Sequence, residues 1–204
     1  MPTSRSNCQR GAALLVTLCI VLVLMLLAAS SVRTALNGER SARGERDREI
    51  ALQGAEAALE DAENDIEGGA NPASKRAVMF EVGSAEGFVH GCGAGLSNPA
   101  LGLCLRVPEP GPAAWQSVAL ADADGDVRTV EYGRFTGAAM PVGRGALPAR
   151  LPHYIIELMP YARAGHDAGK RAGNFYRITA IGFGSNATTS VVLQAFYLKA
   201  GQAP

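Results

Sequence analysis

The first feature of the chain is a long apolar run without a charge. Residues 12–29 are all apolar apart from Thr17, and three more small or apolar residues extend the run to position 32. At 1.5 Å per residue, a helix of this length spans roughly 30 Å, the thickness of the hydrocarbon core of a bilayer. We therefore expect residues 12–32 to form a transmembrane helix.

Charges before this run predict its orientation. Arg5 and Arg10 precede it, and no acidic residue does. By the positive-inside rule the N-terminus stays in the cytoplasm and the chain after Arg33 is exported. A cleaved secretory signal is one alternative, because small residues that suit cleavage lie at 28–30. An anchor that is never cleaved is another.

Helical periodicity continues beyond the apolar run. Residues 33–67 are rich in Ala, Glu and Arg and contain no proline, so they predict an amphipathic continuation of the same helix. Gly68, Gly69 and Pro72 predict its end. Apolar side chains at a 3-4-3-4 spacing predict one face that packs on a globular head: Leu52, Ala55, Leu59, Ala62 and Ile66.

Charge along this continuation is asymmetric. Residues 33–48 contain five arginines and three acids, whereas residues 49–67 contain seven acids and no base. Solvated helix faces account for such charges. Charge matching between staggered parallel copies of the helix is the functional alternative.

The remainder, residues 68–204, reads as strands and turns. Strand patterns lie at 117–120, 127–135, 154–158, 174–183 and 189–198, and the prediction is one helix on an antiparallel sheet of four or five strands, an α+β head. Gly- and Pro-rich stretches at 83–114 and 136–152 predict surface loops.

The junction before the apolar run resembles a known processing signal. Residues 9–12 (QRGA) place a basic, polar leader against a glycine. This is similar to the class III leader of type IV pilins, which the prepilin peptidase cuts after the glycine. The resemblance implies a leader at 1–11, cleavage between Gly11 and Ala12, and methylation of Ala12.

Together with that junction, residues 46–59 (RDREIALQGAEAAL) resemble the N-terminal region of the PilX family of type IV pilus minor pilins. Residues 176–184 and 191–194 carry a weaker similarity. The resemblance implies the α+β type IV pilin fold and a minor pilin that helps to prime pilus assembly and resides in the tip complex. Implied partners are other minor pilins, the major pilin, a tip adhesin, the inner-membrane assembly platform and the prepilin peptidase, with roles in adhesion and twitching motility.

One position departs from the general pilin pattern. Most pilins carry a glutamate five residues into the mature chain, and Val16 occupies that position here. An unpaired carboxylate in lipid is costly, so an apolar residue suits a subunit at the filament tip. The tip pseudopilin of type II secretion shares this feature and is the alternative, although this chain has no room for the large inserted domain expected there.

Two cysteines fall in the exported region, twelve residues apart. In an oxidising compartment we expect Cys92 and Cys104 to form a disulfide. A metal site that includes His90 is the alternative. Cys8 belongs to the leader, and Cys19 is expected to act as a small hydrophobic residue.

Candidate chemistry elsewhere is sparse. Asp122, Asp124 and Asp126 alternate as in a calcium loop, but the sixth-position glycine and twelfth-position glutamate of an EF-hand are missing, so a hairpin turn is favoured over a weak calcium site. The histidines form no catalytic motif, so neither an enzyme nor a cofactor is expected. A binding module that presents loops 83–114 remains a further hypothesis.

Net charge excludes one class of partner. Nineteen Lys and Arg balance nineteen Asp and Glu, so bulk electrostatics does not favour binding to nucleic acid.

Overall fold

The structure is a computed structural model that describes residues 10–70, 75–108, 110–121, 127–159 and 174–199, with side chains from residue 12 onward. The chain divides into two compact units, Met1–Glu45 and Arg46–Pro204. Helix α1 (Arg10–Ile66) contains all described residues of the first unit and continues into the second.

In the first unit, every described side chain from residue 12 to residue 45 is exposed. Helix α1 is therefore formed there by its Leu-, Ala- and Arg-rich sequence, which has high intrinsic helix propensity, and not by packing against the rest of its own unit. By length and composition it is the one described helix that is able to cross a membrane.

The second unit combines the end of α1 with a five-stranded sheet. Its remaining elements are α2 (Lys75–Met79), β1 (Leu103–Leu105), α3 (Ala114–Ser117), β2 (Val130–Glu131), β3 (His153–Met159), β4 (Asn174–Phe183) and β5 (Ser190–Lys199). The strand order is β1-β3-β4-β5, and β2 pairs with β3. This layout confirms the α+β pilin-like fold.

The sheet is mixed, so the expectation of an antiparallel sheet is wrong at one pairing. β1 runs parallel to β3, with Leu103 opposite Ile156, while the other pairings between the five strands are antiparallel. Strand β1 is only three residues long and pairs with a strand about fifty residues later in the chain. No pattern in the neighbouring sequence therefore predicted this strand or its parallel pairing.

Two other strand predictions also fail. Residues 117–120 do not form a strand, and α3 ends at Ser117. Of residues 127–135 only Val130–Glu131 is a strand. The apolar residues at these positions still enter the core: Val118, Leu120 and Val130 are buried. The alternation of apolar and polar residues therefore predicted correctly which side chains are buried. It predicted strands wrongly for most of these positions.

Core side chains cover both faces of the sheet. One cluster joins α1, through Ala58, Ala62 and Ile66, to the face of β4 that carries Tyr176 and Ile178. The other cluster packs the disulfide cysteines and α3 against Ile155, Ile181 and Phe183. Burial on both faces is complete in the second half of β4, where every residue from Ile178 to Phe183 is buried.

The stretch 83–114 is not the surface loop that was expected. It contains β1 and contributes Phe88, Leu101 and Leu103 to the core. Residues 136–152, in contrast, contain no strand or helix and are mainly exposed. The difference lies in the apolar residues of the first stretch, whose burial outweighs the turn-forming tendency of its glycines.

The helix ends where its glycines predicted, one residue before the expected position. Gly68 and Gly69 adopt positive φ angles of 110° and 54°, and the Gly69 N–H donates to the Asn64 carbonyl at 2.7 Å. Lys199 Nζ also donates to the carbonyl of Ile66 at 2.5 Å, so a cation caps the negative end of the helix.

Candidate assembly surfaces

In the apolar part of α1 in the first unit, side-chain hydroxyls donate hydrogen bonds to backbone carbonyls of the same helix. Thr17 Oγ1 donates to the Leu14 carbonyl at 2.9 Å, and Ser31 Oγ donates to the Leu27 carbonyl at 2.9 Å. Hydrogen bonds of this kind leave these hydroxyls without need of water. The segment is therefore suited to a wholly apolar environment.

The predicted processing and tip residues all lie on this segment. Gly11 and Ala12 fall in the first turn of α1, and Ala12 is exposed. Val16 is 54 % exposed, and its leucine and valine neighbours are exposed to a similar degree. The position of the missing glutamate is thus an apolar side chain open to a lipid or to another helix.

In the second unit, α1 presents one face to the sheet. Of the five predicted residues, Ala55, Ala62 and Ile66 are fully buried, and Leu52 and Leu59 are half-buried. Ala51 and Ala58 are also fully buried. The centre of the contact is therefore made of small side chains, and the leucines lie at its margin.

Small residues are needed because the helix and β4 are unusually close. A Cβ on Gly182 would lie 2.1 Å from the Ala51 carbonyl oxygen and 2.3 Å from the Ala55 nitrogen. A Cβ on Gly54 would be 3.6 Å from Gly182 Cα, an ordinary contact. Gly182 is thus the residue that permits the close approach, a role that no sequence pattern revealed.

Asp47 joins α1 to the turn between β4 and β5. Its Oδ1 accepts hydrogen bonds from Ser185 Oγ at 2.6 Å and from the Asn186 N–H at 3.0 Å. These side-chain and backbone donors lower the pKa of Asp47 to about 2. The carboxylate therefore stays ionised at any physiological pH.

A buried ion pair joins the end of α1 to α2. Arg76 Nη2 lies 2.6 Å from Asp65 Oδ2, and both side chains are almost fully buried. Tyr154 OH also donates to Asp65 Oδ2 at 3.1 Å, and burial raises the pKa of Tyr154 well above its usual range. Arg76 Nε donates to Oδ1 at 3.1 Å. Each oxygen of the buried carboxylate therefore has a donor.

Arg76 also holds the disulfide-bonded loop. Its Nη1 donates to the carbonyls of Pro99 and Leu101, each at 2.7 Å, and its guanidinium lies 4.1 Å from the centre of the Phe135 ring. One guanidinium thus contacts a helix end, a loop and an aromatic ring. Nothing in the sequence distinguished Arg76 from a solvated base.

The expected disulfide is present. Cys92 and Cys104 are bonded, with their Cα atoms 4.0 Å apart, and both are buried. Arg128 Nη1 donates to the carbonyls of Gly91 at 2.7 Å and Cys92 at 3.2 Å. The disulfide is therefore favoured over the metal-site alternative for these cysteines. Cys19, the free cysteine of the described residues, is exposed in the apolar segment.

Asp61 is a second acid of α1 that faces inward. Its Oδ2 accepts from the Gly133 N–H at 2.8 Å, and its Oδ1 accepts from Thr136 Oγ1. Burial is the dominant influence and raises the pKa of Asp61. The acidic run of α1 thus divides into inward-facing aspartates and outward-facing glutamates.

His153 is a buried histidine on β3. Its Nδ1 lies 3.1 Å from Thr129 Oγ1, and its ring packs edge-on against Phe183. Burial first, and then the nearby charge of Arg150, lower the pKa of His153 to about 4. It is therefore a neutral core residue at physiological pH, and its described contacts are those of a packing side chain.

The described part of the chain contains no group of three or more His, Cys, Asp or Glu residues placed to hold a metal ion. The calcium candidates Asp122, Asp124 and Asp126 lie outside the described residues. The main features of the described residues are an apolar helix with exposed side chains and a head that contains a disulfide.

Comparison with known protein families agrees with this geometry. The family described as "PilX N-terminal" matches residues 10–60, and "Type IV pilus assembly protein PilX C-term" matches residues 86–199, more than half of the chain. No curated protein and no solved structure matches. The chain belongs to the PilX family of type IV pilus assembly proteins, which are structural components of the pilus machinery.

Proposed function

We propose that this protein is a minor pilin that helps to prime type IV pilus assembly and resides in the pilus tip complex. The observation that carries the proposal is Val16, an exposed apolar side chain at the position where most pilins have a glutamate. A subunit at the tip has no neighbour above it to supply a partner for such a carboxylate. An apolar residue there avoids an unpaired charge in an apolar setting.

The mechanism is physical. The leader, residues 1–11, is removed between Gly11 and Ala12, and residues 12–32 hold the protein in the inner membrane with the head in the periplasm. When the assembly platform lifts the subunit, the exposed apolar side chains exchange lipid for the helices of other minor pilins and the major pilin. This exchange conserves apolar contact, so extraction does not expose the helix to water.

The family match favours the pilus over the type II secretion tip pseudopilin. The tip pseudopilin shares with this chain the leader and an apolar residue at the position of Val16. The head differs, because the described part of residues 68–204 forms one small sheet and its loops.

The first test is the intact mass of the membrane-extracted protein, made with and without a co-expressed prepilin peptidase. We expect loss of residues 1–11 and a methyl group on Ala12 only with the peptidase. A Gly11→Val variant is the matched control, and it should stay uncut. Cleavage near residue 29, or an intact chain in both samples, would refute processing as a pilin.

Tip residence needs its own measurement. Immunogold labelling of a tag on the head of the processed protein should mark the ends of sheared pili and leave the shafts unlabelled. Deletion of the gene should lower the number of pili per cell, which tests priming. Labels spread along the shafts would contradict tip residence even if processing is normal.

Adhesion is a second candidate role, and within residues 83–114 the part closed by the Cys92–Cys104 disulfide favours it. Leu96 is 60 % exposed within the disulfide-closed loop, and Arg134 Nη2 donates to its carbonyl at 2.6 Å. Arg134 thus holds the backbone of the loop at Leu96, while the apolar side chain of Leu96 is exposed. Leu96→Asp should reduce attachment to a host surface while the number of pili stays unchanged; unchanged attachment would refute this role.

A further inference from the structure

Strand β5 lies at the edge of the sheet. It pairs with β4 over its whole length, from Ser190 opposite Phe183 to Lys199 opposite Asn174. Among the described residues, β4 is the one strand that pairs with it. Alternate residues of an edge strand direct their N–H and C=O groups away from the sheet. β5 therefore presents a row of backbone donors and acceptors along its outer side.

Side chains on one face of β5 are apolar and exposed. Val192 is 46 % exposed, Phe196 is 60 % exposed and Leu198 is 47 % exposed. The ring of Phe196 stacks on that of Phe175 in β4, with the ring centres 5.5 Å apart and the planes at 6°. The edge of the sheet thus carries an apolar surface on this face.

The devices that usually protect such an edge are missing from β5. Its register with β4 is continuous, so it contains no bulge, and it contains no proline. Its one charged residue is Lys199, whose ammonium group donates to the carbonyl of Ile66 at the end of α1. A long, apolar edge strand without these devices is a site for pairing with another extended segment.

The opposite face of β5 lies beside acidic side chains of α1 and the residue that follows it. Tyr197 OH donates to Glu67 Oε1 at 2.6 Å. This hydrogen bond first, and then burial and the charges of Glu67 and Glu63, raise the pKa of Tyr197 to about 12. Glu67 is exposed and Glu63 is half-buried. A strand added to β5 would therefore meet apolar side chains on one face and carboxylates on the other.

We propose that β5 is a docking edge for an extended segment of a different protein, which adds to the sheet with apolar residues on the face of Phe196 and basic residues on the face of Glu63 and Glu67. Hydrogen bonds between the two backbones supply affinity in this mode of binding, and alternate side chains supply specificity. Apolar pairs and opposite charges across neighbouring strands both stabilise such a pairing.

A second copy of this chain does not supply a segment of this kind. In antiparallel pairing over most of its length, a second β5 would place Val191 or Leu193 next to Tyr197, and neither is basic. Bringing its Lys199 to that position would pair only the ends of the two strands. In parallel pairing the second sheet is turned over, so the face that contains Phe196, which has no base, would lie beside the glutamates.

This inference rests on the head alone and does not depend on tip residence. The proposed function assembles the protein through the apolar part of α1, whereas the edge of β5 adds a second interaction surface and the chemistry of its partner.

Peptide binding to the full-length protein in phosphatidylcholine nanodiscs tests the charge pattern. The probe is a fluorescent peptide as long as β5 that alternates isoleucine with lysine, and the comparison is a peptide that alternates isoleucine with glutamate. We expect the lysine peptide to bind about tenfold more tightly, as for a few ion pairs acting together, and high salt to reduce the difference. Empty nanodiscs report binding to lipid.

Backbone methylation of the peptide tests strand pairing and leaves the protein unchanged. Successive residues of a strand direct their N–H groups to opposite edges, so the isoleucines donate on one edge of the peptide and the lysines on the other. One peptide is N-methylated at its isoleucines and a second at its lysines. We expect one of the two to lose binding and the other to bind like the unmethylated peptide.

Substitutions on the head test the two faces of the edge. Phe196→Gln should weaken binding of the lysine peptide about tenfold, while Val142→Gln, which replaces an exposed apolar residue away from β5, should leave it unchanged. Glu63→Gln together with Glu67→Gln removes both charges, keeps an acceptor for Tyr197, and should make the two peptides bind almost equally. Formation of the Cys92–Cys104 disulfide and an unchanged unfolding temperature show that each variant folds.

Each outcome supports or overturns the proposal. Loss of binding by one methylated peptide alone, together with weaker binding to Phe196→Gln, supports it. Equal behaviour of the two methylated peptides, equal binding of the lysine and glutamate peptides to the wild type, or no binding would overturn it. Tighter binding of a peptide with the sequence of residues 190–199 would also overturn it, since the partner would then be a second copy. If no peptide binds while immunogold labelling still marks pilus tips, this inference fails and the proposed function stands.

Discussion

The carboxylate of Asp65 and the guanidinium of Arg76 form a buried ion pair in which Nε lies 3.1 Å from both carboxylate oxygens and Nη2 lies 2.6 Å from Oδ2. The same arginine donates to the carbonyls of Pro99 and Leu101. The last turn of α1, the chain that follows it and the disulfide-bonded loop are thus joined at one side chain.

Removal of this arginine should destabilise the head strongly. Arg76→Met leaves Asp65 buried without its partner, and loss of one member of such a pair costs about 3–5 kcal/mol. Urea unfolding of the full-length protein in detergent measures the change. The control is Arg43→Met, which removes an exposed pair with Glu39 and should alter stability by less than about 0.5 kcal/mol. Equal effects of the two variants would contradict the role of Arg76.

Two glycines in mutual contact should respond to alanine in opposite ways. Gly182→Ala puts a Cβ about 2 Å from backbone atoms of α1, so we expect a loss of about 3 kcal/mol or more. Gly54→Ala meets only ordinary contacts and should stabilise the helix by up to about 1 kcal/mol. Unfolding temperatures of the two variants measure both signs. A stable Gly182→Ala variant would show that the helix and the sheet can separate without cost.

Patterns within short stretches of the sequence predicted the buried face of α1, two strands and the disulfide. The helical periodicity marked Ala55, Ala62 and Ile66, and apolar runs marked β4 and β5 almost to the residue. Composition and export predicted the Cys92–Cys104 bond.

Other parts depend on contacts distant in sequence. β1 is too short for periodicity, and its partner on β3 lies about fifty residues away. Arg76 is a base beside Lys75, yet Arg76 is buried and Lys75 is exposed. Asp65 is one of seven acids in residues 49–67. Only the structure shows that it forms a buried ion pair with Arg76 at the C-terminal end of α1.

Reduction of the disulfide should weaken the head without unfolding the helix of the first unit. On the chain-entropy model a bond that closes a loop of this size contributes very roughly 3 kcal/mol. Urea unfolding with and without reductant measures the difference. Since Arg128 and Arg76 hold the same loop through backbone carbonyls, the reduced protein should remain folded at low denaturant. Complete unfolding on reduction would show that these hydrogen bonds cannot keep the head folded without the disulfide.

Stability should fall between pH 6.5 and about 4 because of His153. In the folded protein its pKa is about 4, whereas in the unfolded chain it is near 6.5. The unfolded state therefore binds more protons in this window and gains up to about 3 kcal/mol relative to the fold as the pH is lowered. His153→Leu should flatten the pH profile of the unfolding free energy there. Asp47, with a pKa of about 2, adds its own loss only below its ordinary pKa of 3.8, so the two windows are separable. Because burial raises the pKa of Asp61, that carboxylate contributes with the opposite sign, so the comparison with His153→Leu isolates the histidine. A His153→Leu profile as steep as that of the wild type from pH 6.5 to about 4.5 would contradict the neutral, buried state of His153.

Substitution of Val16 tests the proposed place in the filament most directly. Val16→Glu puts a carboxylate on the apolar segment, where it has no partner. A charge costs about 3 kcal/mol at the centre of a bilayer, and it costs less at Val16, which lies near one end of residues 12–32. At a tip position no neighbouring amine is present to neutralise it, so we expect fewer pili per cell while the amount of protein in the membrane stays the same. Val16→Gln introduces a side chain of the same shape as glutamate without its charge and should have a smaller effect. Val16→Leu should have none. If Val16→Glu cells make normal numbers of pili and the labelled subunit moves into the shaft, the apolar residue is what keeps this subunit at the tip. If both piliation and tip labelling are unchanged, Val16 has no part in placing the subunit.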